Sequence, residues 1–222
     1  MDGDVVRAPR PSRSREEKKN LTLRCIYSAS MALGMAPRKR DVMAHYDALG
    51  GRVYDEVYRQ EQSAKYEAIL SRLRIDPHEI VLDLGCGTGL LLREIPALSV
   101  GVDISIPLLR RARRRIRGGH GLIRCDAEHL PFRGEIFHKI LAVTVIQNIS
   151  RPDVFLSEVR RVSRAGSEIV ITVLKKFLNL EESIRLIESS GLSVTSSFSD
   201  EEVKDWIIFT SNPRASMAAE RK

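Results

Sequence analysis

The sequence predicts a doubly wound α/β fold with a sheet of seven strands. From residue 80 onward, short apolar runs typical of buried parallel strands alternate with segments of helical periodicity. A glycine-rich segment, residues 85–89, directly follows the first of these runs. Because ligands of open α/β sheets bind at the carboxyl ends of the strands, this segment is the first candidate for a binding site.

The elements are predicted in order along the chain. Residues 55–73 place apolar and aromatic side chains at helical spacing, which predicts a long amphipathic helix that ends before Pro77. Further helices are predicted at residues 90–95, after Pro107, from Pro152 to near Gly166 and at residues 180–190. Strands are predicted at residues 80–84, 99–104, 122–125, 136–145, 168–174, 192–198 and 206–211.

The net charge of +7 is concentrated near the N-terminus, where residues 1–40 hold ten Lys and Arg against four Asp and Glu. We therefore predict a basic, largely disordered extension over 1–40, a folded domain over 41–212 with a helical lead-in at 41–75, and a flexible tail over 213–222. A basic arm of this kind contacts nucleic acid or is simply a solvated tail, and a protein partner is a further candidate. Met31, Met35 and Met43 leave a downstream start open.

The composition indicates a reduced, cytoplasmic protein. The three cysteines, Cys25, Cys86 and Cys125, are too few and too scattered for a disulfide framework or a zinc site, so no metal is expected. No apolar run approaches the roughly 18–20 residues of a membrane span, so no membrane contact is expected either.

The glycine segment favours a cofactor without phosphate. Asp83 precedes it, and Leu90 stands where a dinucleotide-binding loop has its third glycine. A carboxylate at Asp83 would repel a pyrophosphate but would attract a cationic ligand. Asp103, at the end of the second predicted strand, suits two ribose hydroxyls, a feature that NAD-binding proteins share.

On these residues, from about Asp41 to the end, the chain resembles the class I S-adenosylmethionine-dependent methyltransferases. The resemblance implies S-adenosylmethionine as cofactor, and a mostly parallel sheet with an antiparallel last strand and helices on both faces. It also implies that Gly85, Gly87 and Gly89 hold the methionine part, Asp83 its amino group, Asp103 the ribose, and Asp126 and Ala127 the adenine. Neighbouring candidates for cofactor contacts are Cys86, Ile104 and Thr144.

The segment over residues 45–66 resembles the helical lead-in that closes over the cofactor in many such enzymes. Tyr46, Tyr54 and Gln62 are candidates for this lid, and ordinary packing of a helix on the sheet is the alternative. After the fourth predicted strand, Gln147 and Asn148 offer amide groups to a methyl acceptor, or they simply end the strand. The family's Asn/Asp-Pro-Pro-aromatic motif for amino-group methylation is missing here. His138 begins that strand and is interpreted as structural.

The leading hypothesis is methylation of a base nitrogen in ribosomal or transfer RNA. Six arginines in residues 110–117 favour phosphate contacts, with Leu108, Leu109, Ala112 and Ile116 packed on the sheet and the arginines facing out. The short connection at residues 175–179 adds no cap that would enclose a small substrate. The alternatives are a protein or small-molecule methyltransferase, and a non-catalytic partner subunit of the same fold.

Overall fold

The computed structural model describes residues 37–199 and 203–213, so most of the predicted extension and of the predicted tail lie outside the described residues. In this part of the chain, four α-helices, seven strands and two 3₁₀ turns follow one another. They are α1 (Lys39–Leu70), β1 (Ile80–Leu84), a 3₁₀ turn (Leu92–Glu94), β2 (Leu98–Asp103), α2 (Ile106–Arg115), β3 (His120–Arg124), β4 (Phe137–Ala142), a 3₁₀ turn (Ile146–Asn148), α3 (Pro152–Val162), β5 (Ser163–Leu174), α4 (Leu180–Ser189), β6 (Ser193–Phe198) and β7 (Asp205–Ser211).

Within the described residues the seven strands form one sheet of order β3-β2-β1-β4-β5-β7-β6. The pairs among β1 to β5 are parallel, whereas β7 is antiparallel to both of its neighbours, β5 and β6. The strand order reverses between β1 and β4, which places the carboxyl ends of these two strands at the point where such sheets bind ligands. The predicted fold class is confirmed.

Both faces of the sheet are covered by helices. On one face α3 and α4 contribute fully buried residues such as Phe155 and Ile187. On the other face Ile69 of α1 and Leu92 of the first 3₁₀ turn are fully buried, with Leu109 and Ile116 packed against them. The central strands β1 and β4 are buried on both faces, which explains why their sequences are predominantly apolar. None of the helices described is long and apolar enough to cross a membrane.

Several predicted boundaries were wrong. The helix α1 begins at Lys39, well before residue 55, and has a kink at Gly50, whose φ is +66°. The segment 90–95 forms only a short 3₁₀ turn, because Pro96 follows directly and the chain must enter β2 at Leu98. The helix α3 ends at Val162, before Gly166, because the next residues already pair with β4.

The fourth strand was predicted to reach residue 145 but ends at Ala142. Thr144 has a φ of +61°, which a β-branched residue rarely adopts and which no strand accommodates. At the other end of β4, His138 Nδ1 accepts a hydrogen bond of 3.0 Å from the Ile80 N–H. His138 therefore joins two strands at their amino ends.

Candidate active site

A cavity opens at the carboxyl ends of β1, β2 and β4, where the predicted site residues converge. Its walls come from the glycine loop, from α1, and from the segments that follow β2, β3 and β4. Ten predicted residues line it: Tyr46, Tyr54, Gly85, Gly87, Asp103, Ile104, Asp126, Ala127, Thr144 and Asn148. Five do not line it: Gln62, Asp83, Cys86, Gly89 and Gln147.

The glycine loop turns sharply under the cavity. Gly85, Gly87 and Gly89 all have positive φ, between +52° and +72°. A Cβ on Gly85 would lie 2.4 Å from Cγ2 of Val145, so only glycine fits there. The backbone of this loop is therefore available at the cavity wall.

Asp103 joins the glycine loop to the end of β2. Its Oδ2 accepts a hydrogen bond of 2.9 Å from the Gly87 N–H, and its Oδ1 accepts one of 2.8 Å from the Ser105 N–H. Burial raises the pKa of Asp103 to about 6, although these backbone donors act in the opposite direction. Each carboxylate oxygen keeps a further lone pair for a ligand hydroxyl.

Asp83 is a buried carboxyl group directly before the loop. Its exposed fraction is 2%, and its Oδ2 has no hydrogen-bond partner among the described residues. Burial, followed by the negative charge of Asp103, raises the pKa of Asp83 well above its ordinary value. An unpaired oxygen beside a second acid is an environment that a cationic ligand would stabilise and a phosphate would not, which fits S-adenosylmethionine.

Aromatic residues of α1 form a wall of the cavity close to the glycine loop. The ring centroids of Tyr46 and Tyr54 are 6.2 Å apart, and Tyr58 lies 5.0 Å beyond Tyr54. The Tyr46 hydroxyl accepts a hydrogen bond of 3.2 Å from Asn148 Nδ2. The two predicted lid tyrosines are thus at the cavity, whereas Gln62 lies behind Thr144, with its Nε2 3.5 Å from the threonine Oγ1.

The two amide residues after β4 lie in different environments. Asn148 faces the cavity and also donates to the Thr144 carbonyl at 3.3 Å. Gln147 is 1% exposed, and neither of its amide atoms has a hydrogen-bond partner among the described residues. Of the two amides, only Asn148 lines the cavity.

Sequence reasoning missed the polar residues beside Asp126. Lys39, in the first turn of α1, forms ion pairs with Asp126 and with Glu128, the latter at 3.1 Å. Burial alone would raise the pKa of Asp126, but the Lys39 ammonium and the Glu128 N–H lower it below the ordinary value. Asp126, Glu128 and His129 are close enough to hold a metal ion, yet the Lys39 ammonium already lies against two of these carboxylates. Glu128 stands two residues after Asp126, which is a signal that sequence reading could have used.

A second missed group fixes Thr144 from behind. Lys65 is fully buried, and its Nζ donates to Thr144 Oγ1 at 3.0 Å and lies 3.0 Å from Asp205 Oδ1. Asp205 Oδ2 accepts hydrogen bonds from Thr172 at 2.8 Å and from Thr144 at 3.3 Å. The strained backbone of Thr144 is held by these contacts at the cavity floor.

A third missed group connects the glycine loop to two helices. Asp55 of α1 is buried, and its carboxylate binds Thr88 Oγ1 at 2.6 Å, Arg111 Nε at 3.0 Å and Arg115 Nη2 at 2.5 Å. Arg115 also donates to the Thr88 carbonyl at 2.6 Å. The prediction that all arginines of this helix face solvent was wrong for Arg111 and Arg115, because α1 packs along that side of α2.

Comparison with known proteins agrees with this geometry. The family model described as a methyltransferase domain matches residues 82–171. The phosphatidylethanolamine N-methyltransferase of Cereibacter sphaeroides is 32% identical over 151 residues, which is 64% of this chain and 68% of that protein. A putative methyltransferase of Encephalitozoon cuniculi is 35% identical over 130 residues, 55% of this chain and 60% of that protein.

Among solved structures, a putative methyltransferase in complex with the Haloferax volcanii Trm112 methyltransferase activator has a TM-score of 0.67 at 15% identity. The similarity covers 76% of this chain and 97% of that one. Among the curated relatives, the chain spans only 52% of an uncharacterized Methanocaldococcus jannaschii protein, to which it is 30% identical over 135 residues, and 60% of the Encephalitozoon cuniculi protein.

A doubly wound sheet with a glycine loop, and with a buried and a half-buried acid at the ends of its first two strands, defines a protein that binds a cationic nucleoside cofactor. With the family match and the relatives just described, the chain belongs to the class I S-adenosylmethionine-dependent methyltransferases. S-adenosylmethionine is the cofactor of this family.

Proposed function

We propose that this chain transfers the methyl group of S-adenosylmethionine to a base nitrogen in RNA. The observation that supports methyl transfer is the cavity itself, which combines the glycine loop, Asp103 and the unpaired carboxyl oxygen of Asp83 just behind the wall with the Asn148 amide. In this proposal Asp103 accepts the ribose hydroxyls, and Asp83 faces the methionine ammonium.

Asn148 is proposed to orient the methyl acceptor. Methyl transfer is an in-line displacement, so the protein contributes mainly by fixing the nucleophile in line with the sulfonium methyl group. The Asn148 side chain is held by its hydrogen bonds to Tyr46 and to the Thr144 carbonyl. Its position at the carboxyl end of β4 suits a hydrogen bond to an exocyclic amine or a base edge.

The choice of RNA is supported by the arginines of α2 and by the short connection between β5 and α4, residues 175–179. A second candidate acceptor is a lipid or another small molecule, because one relative, 32% identical over 151 residues, is a phosphatidylethanolamine N-methyltransferase. A protein partner of the Trm112 type belongs to the proposal because one structural neighbour is described in complex with that activator. A cytoplasmic location stays a prediction.

The acceptor class is tested by incubating the protein and labelled S-adenosylmethionine with cell extract and sorting the label among RNA, protein, lipids and metabolites. Label in RNA supports the proposal, and label only in lipids supports the second candidate. Absence of label in all fractions, also with a Trm112-type protein added, would contradict methyl transfer by this chain.

The role of Asn148 is tested with Asn148→Ala, which we expect to lower kcat at least about tenfold with little change in cofactor affinity. Gln60→Ala, an exposed amide on α1, is the matched control.

Cofactor affinity is expected to depend on pH. Since the pKa of Asp103 is raised to about 6, the carboxylate that accepts the ribose hydroxyls is lost as pH falls through that value. The dissociation constant should be flat above about pH 7 and rise about tenfold per unit below pH 6. Calorimetry between pH 5 and pH 8 measures it, and a constant affinity over this range would contradict the assigned role.

The same raised pKa gives the opposite trend in stability without cofactor. A folded-state pKa above the ordinary 3.8 means that Asp103 favours the folded protein most below about pH 4. This contribution is lost as pH rises through about 6. The increase in Tm on adding cofactor should therefore be larger at pH 7 than at pH 5, and an equal increase at both would contradict it.

A further inference from the structure

A second concave surface of the described chain is lined only by basic side chains, and we call it the arginine groove. It lies where the first 3₁₀ turn, the carboxyl-terminal half of α2 and the start of β3 meet. Its lining residues are Arg93, Arg111, Arg114, Arg115, Arg117 and His120. Since no carboxylate lines it, the groove has a strongly positive potential.

Nearby acids balance only part of this charge. Asp55 pairs with Arg111 and Arg115, and Glu94 pairs with Arg93 at 2.7 Å. Among residues 37–199 and 203–213, no carboxylate lies within the ion-pair distance of Arg114 or Arg117. Two guanidinium groups in the groove are therefore available to a ligand.

The groove is also partly preorganised. Arg111 and Arg115 are one helical turn apart and share the buried Asp55, so their guanidinium groups are held in place before any ligand arrives. Arg114 lies on the same side of α2, three residues after Arg111. Fixed guanidinium groups lose less side-chain entropy when they bind.

The ligand that matches these groups is a phosphate. Guanidinium groups form paired hydrogen bonds to phosphate oxygens, and several of them together favour a ligand with more than one phosphate. The groove shares no lining residue with the methyl-transfer cavity: Leu108 of α2 lines the cavity, and the groove residues of α2 run from Arg111 to Arg115, about 5–10 Å further along the helix. A ligand that contacts both sites must extend along α2 from one to the other, and a polyanion such as RNA has the length to do so.

We propose that the arginine groove binds backbone phosphates of the RNA substrate, a proposal that rests on the proposed function. Arg115 donates to the Thr88 carbonyl, so one side chain of the groove also contacts the glycine loop. Arg114 and Arg117 are exposed and have no such contact with the loop, which makes them suitable positions for a test.

The test measures binding of a fluorescent single-stranded RNA of about twenty nucleotides to the full chain over a range of salt concentrations. The double variant Arg114→Gln/Arg117→Gln is expected to bind at least about tenfold more weakly. Its slope of log K against log salt should be smaller by about 1 to 2, because each lost phosphate contact removes about 0.7–0.9. Its affinity for S-adenosylmethionine and its Tm should stay unchanged.

The control is Arg133→Gln/Arg185→Gln, which removes the same charge from two exposed arginines outside the groove. Unchanged affinity and slope in the groove variant, while the wild type binds and methylates RNA, would overturn the groove and leave the proposed function standing. No RNA binding by the wild type would overturn both. Calorimetric binding of millimolar inorganic phosphate to the wild type, lost in the groove variant, together with no RNA binding, would assign the groove to free phosphate and overturn the RNA assignment.

Discussion

Replacement of Asp103 by asparagine is expected to weaken S-adenosylmethionine binding about a hundredfold. Each oxygen of the carboxylate already accepts one backbone hydrogen bond, from Gly87 and from Ser105. The amide keeps one acceptor oxygen and presents its NH₂ group to the other N–H donor, so it loses a ribose contact and loosens the glycine loop. Hydrogen bonds to ionised groups contribute about 1.5–3 kcal/mol, and about 2.7 kcal/mol corresponds to a hundredfold change.

Calorimetric titration with the cofactor measures this effect directly. Asp153→Asn is the matched control, because Asp153 is an exposed carboxylate in the first turn of α3 and does not line the cavity. The Asp103→Asn variant should also lose most of the pH dependence between pH 5 and pH 7. An affinity within threefold of the wild type would show that Asp103 does not bind the ribose.

Replacement of Lys65 by methionine is expected to destabilise the protein by about 3–5 kcal/mol. The substitution leaves the fully buried Asp205 without its cation, and an uncompensated buried charge is costly. The hydroxyls of Thr144 and Thr172 still donate to Asp205, but they carry no compensating charge. Chemical denaturation measures the change in the free energy of unfolding.

Two further variants separate the buried ion pair from a general effect of losing lysine. Lys204→Met removes a lysine that is 63% exposed and 3.4 Å from Glu61, and it should cost less than about 1 kcal/mol. The double variant Lys65→Met/Asp205→Leu removes both charges and should recover a large part of the stability. A double variant that is less stable than Lys65→Met alone would rule out the uncompensated charge as the cause.

Local sequence was enough to predict the strands and the cofactor loop. Continuous apolar runs such as residues 80–84 reflect burial on both sides, which holds for any strand between two helical layers. The glycines at 85, 87 and 89 reflect backbone angles that other residues rarely adopt. Boundaries failed where a tertiary contact overrides the pattern, as at Thr144, whose positive φ ends β4 inside an apolar run.

The candidate site was predictable only where the contacts are local. Asp103 ends β2 and Gly87 lies in the loop after β1, sixteen residues earlier, and the pairing of these adjacent parallel strands brings the two residues together. Lys39 meets Asp126 across 87 residues, and Lys65 meets Thr144 across 79. No periodicity in the sequence relates such positions to one another.

The sequence by itself determined the class of this protein, because the glycine loop requires one backbone geometry and Asp83 beside it favours a cationic cofactor without phosphate. Only the tertiary structure decided which polar residues act together: Lys65 with Asp205, Asp55 with Arg115, and Asn148 rather than Gln147 at the cavity. The physical reason is that the sequence does not distinguish a charged or amide side chain that is solvated from one that is buried. Its partner, and therefore its role, is set by how α1 and α2 pack on the sheet.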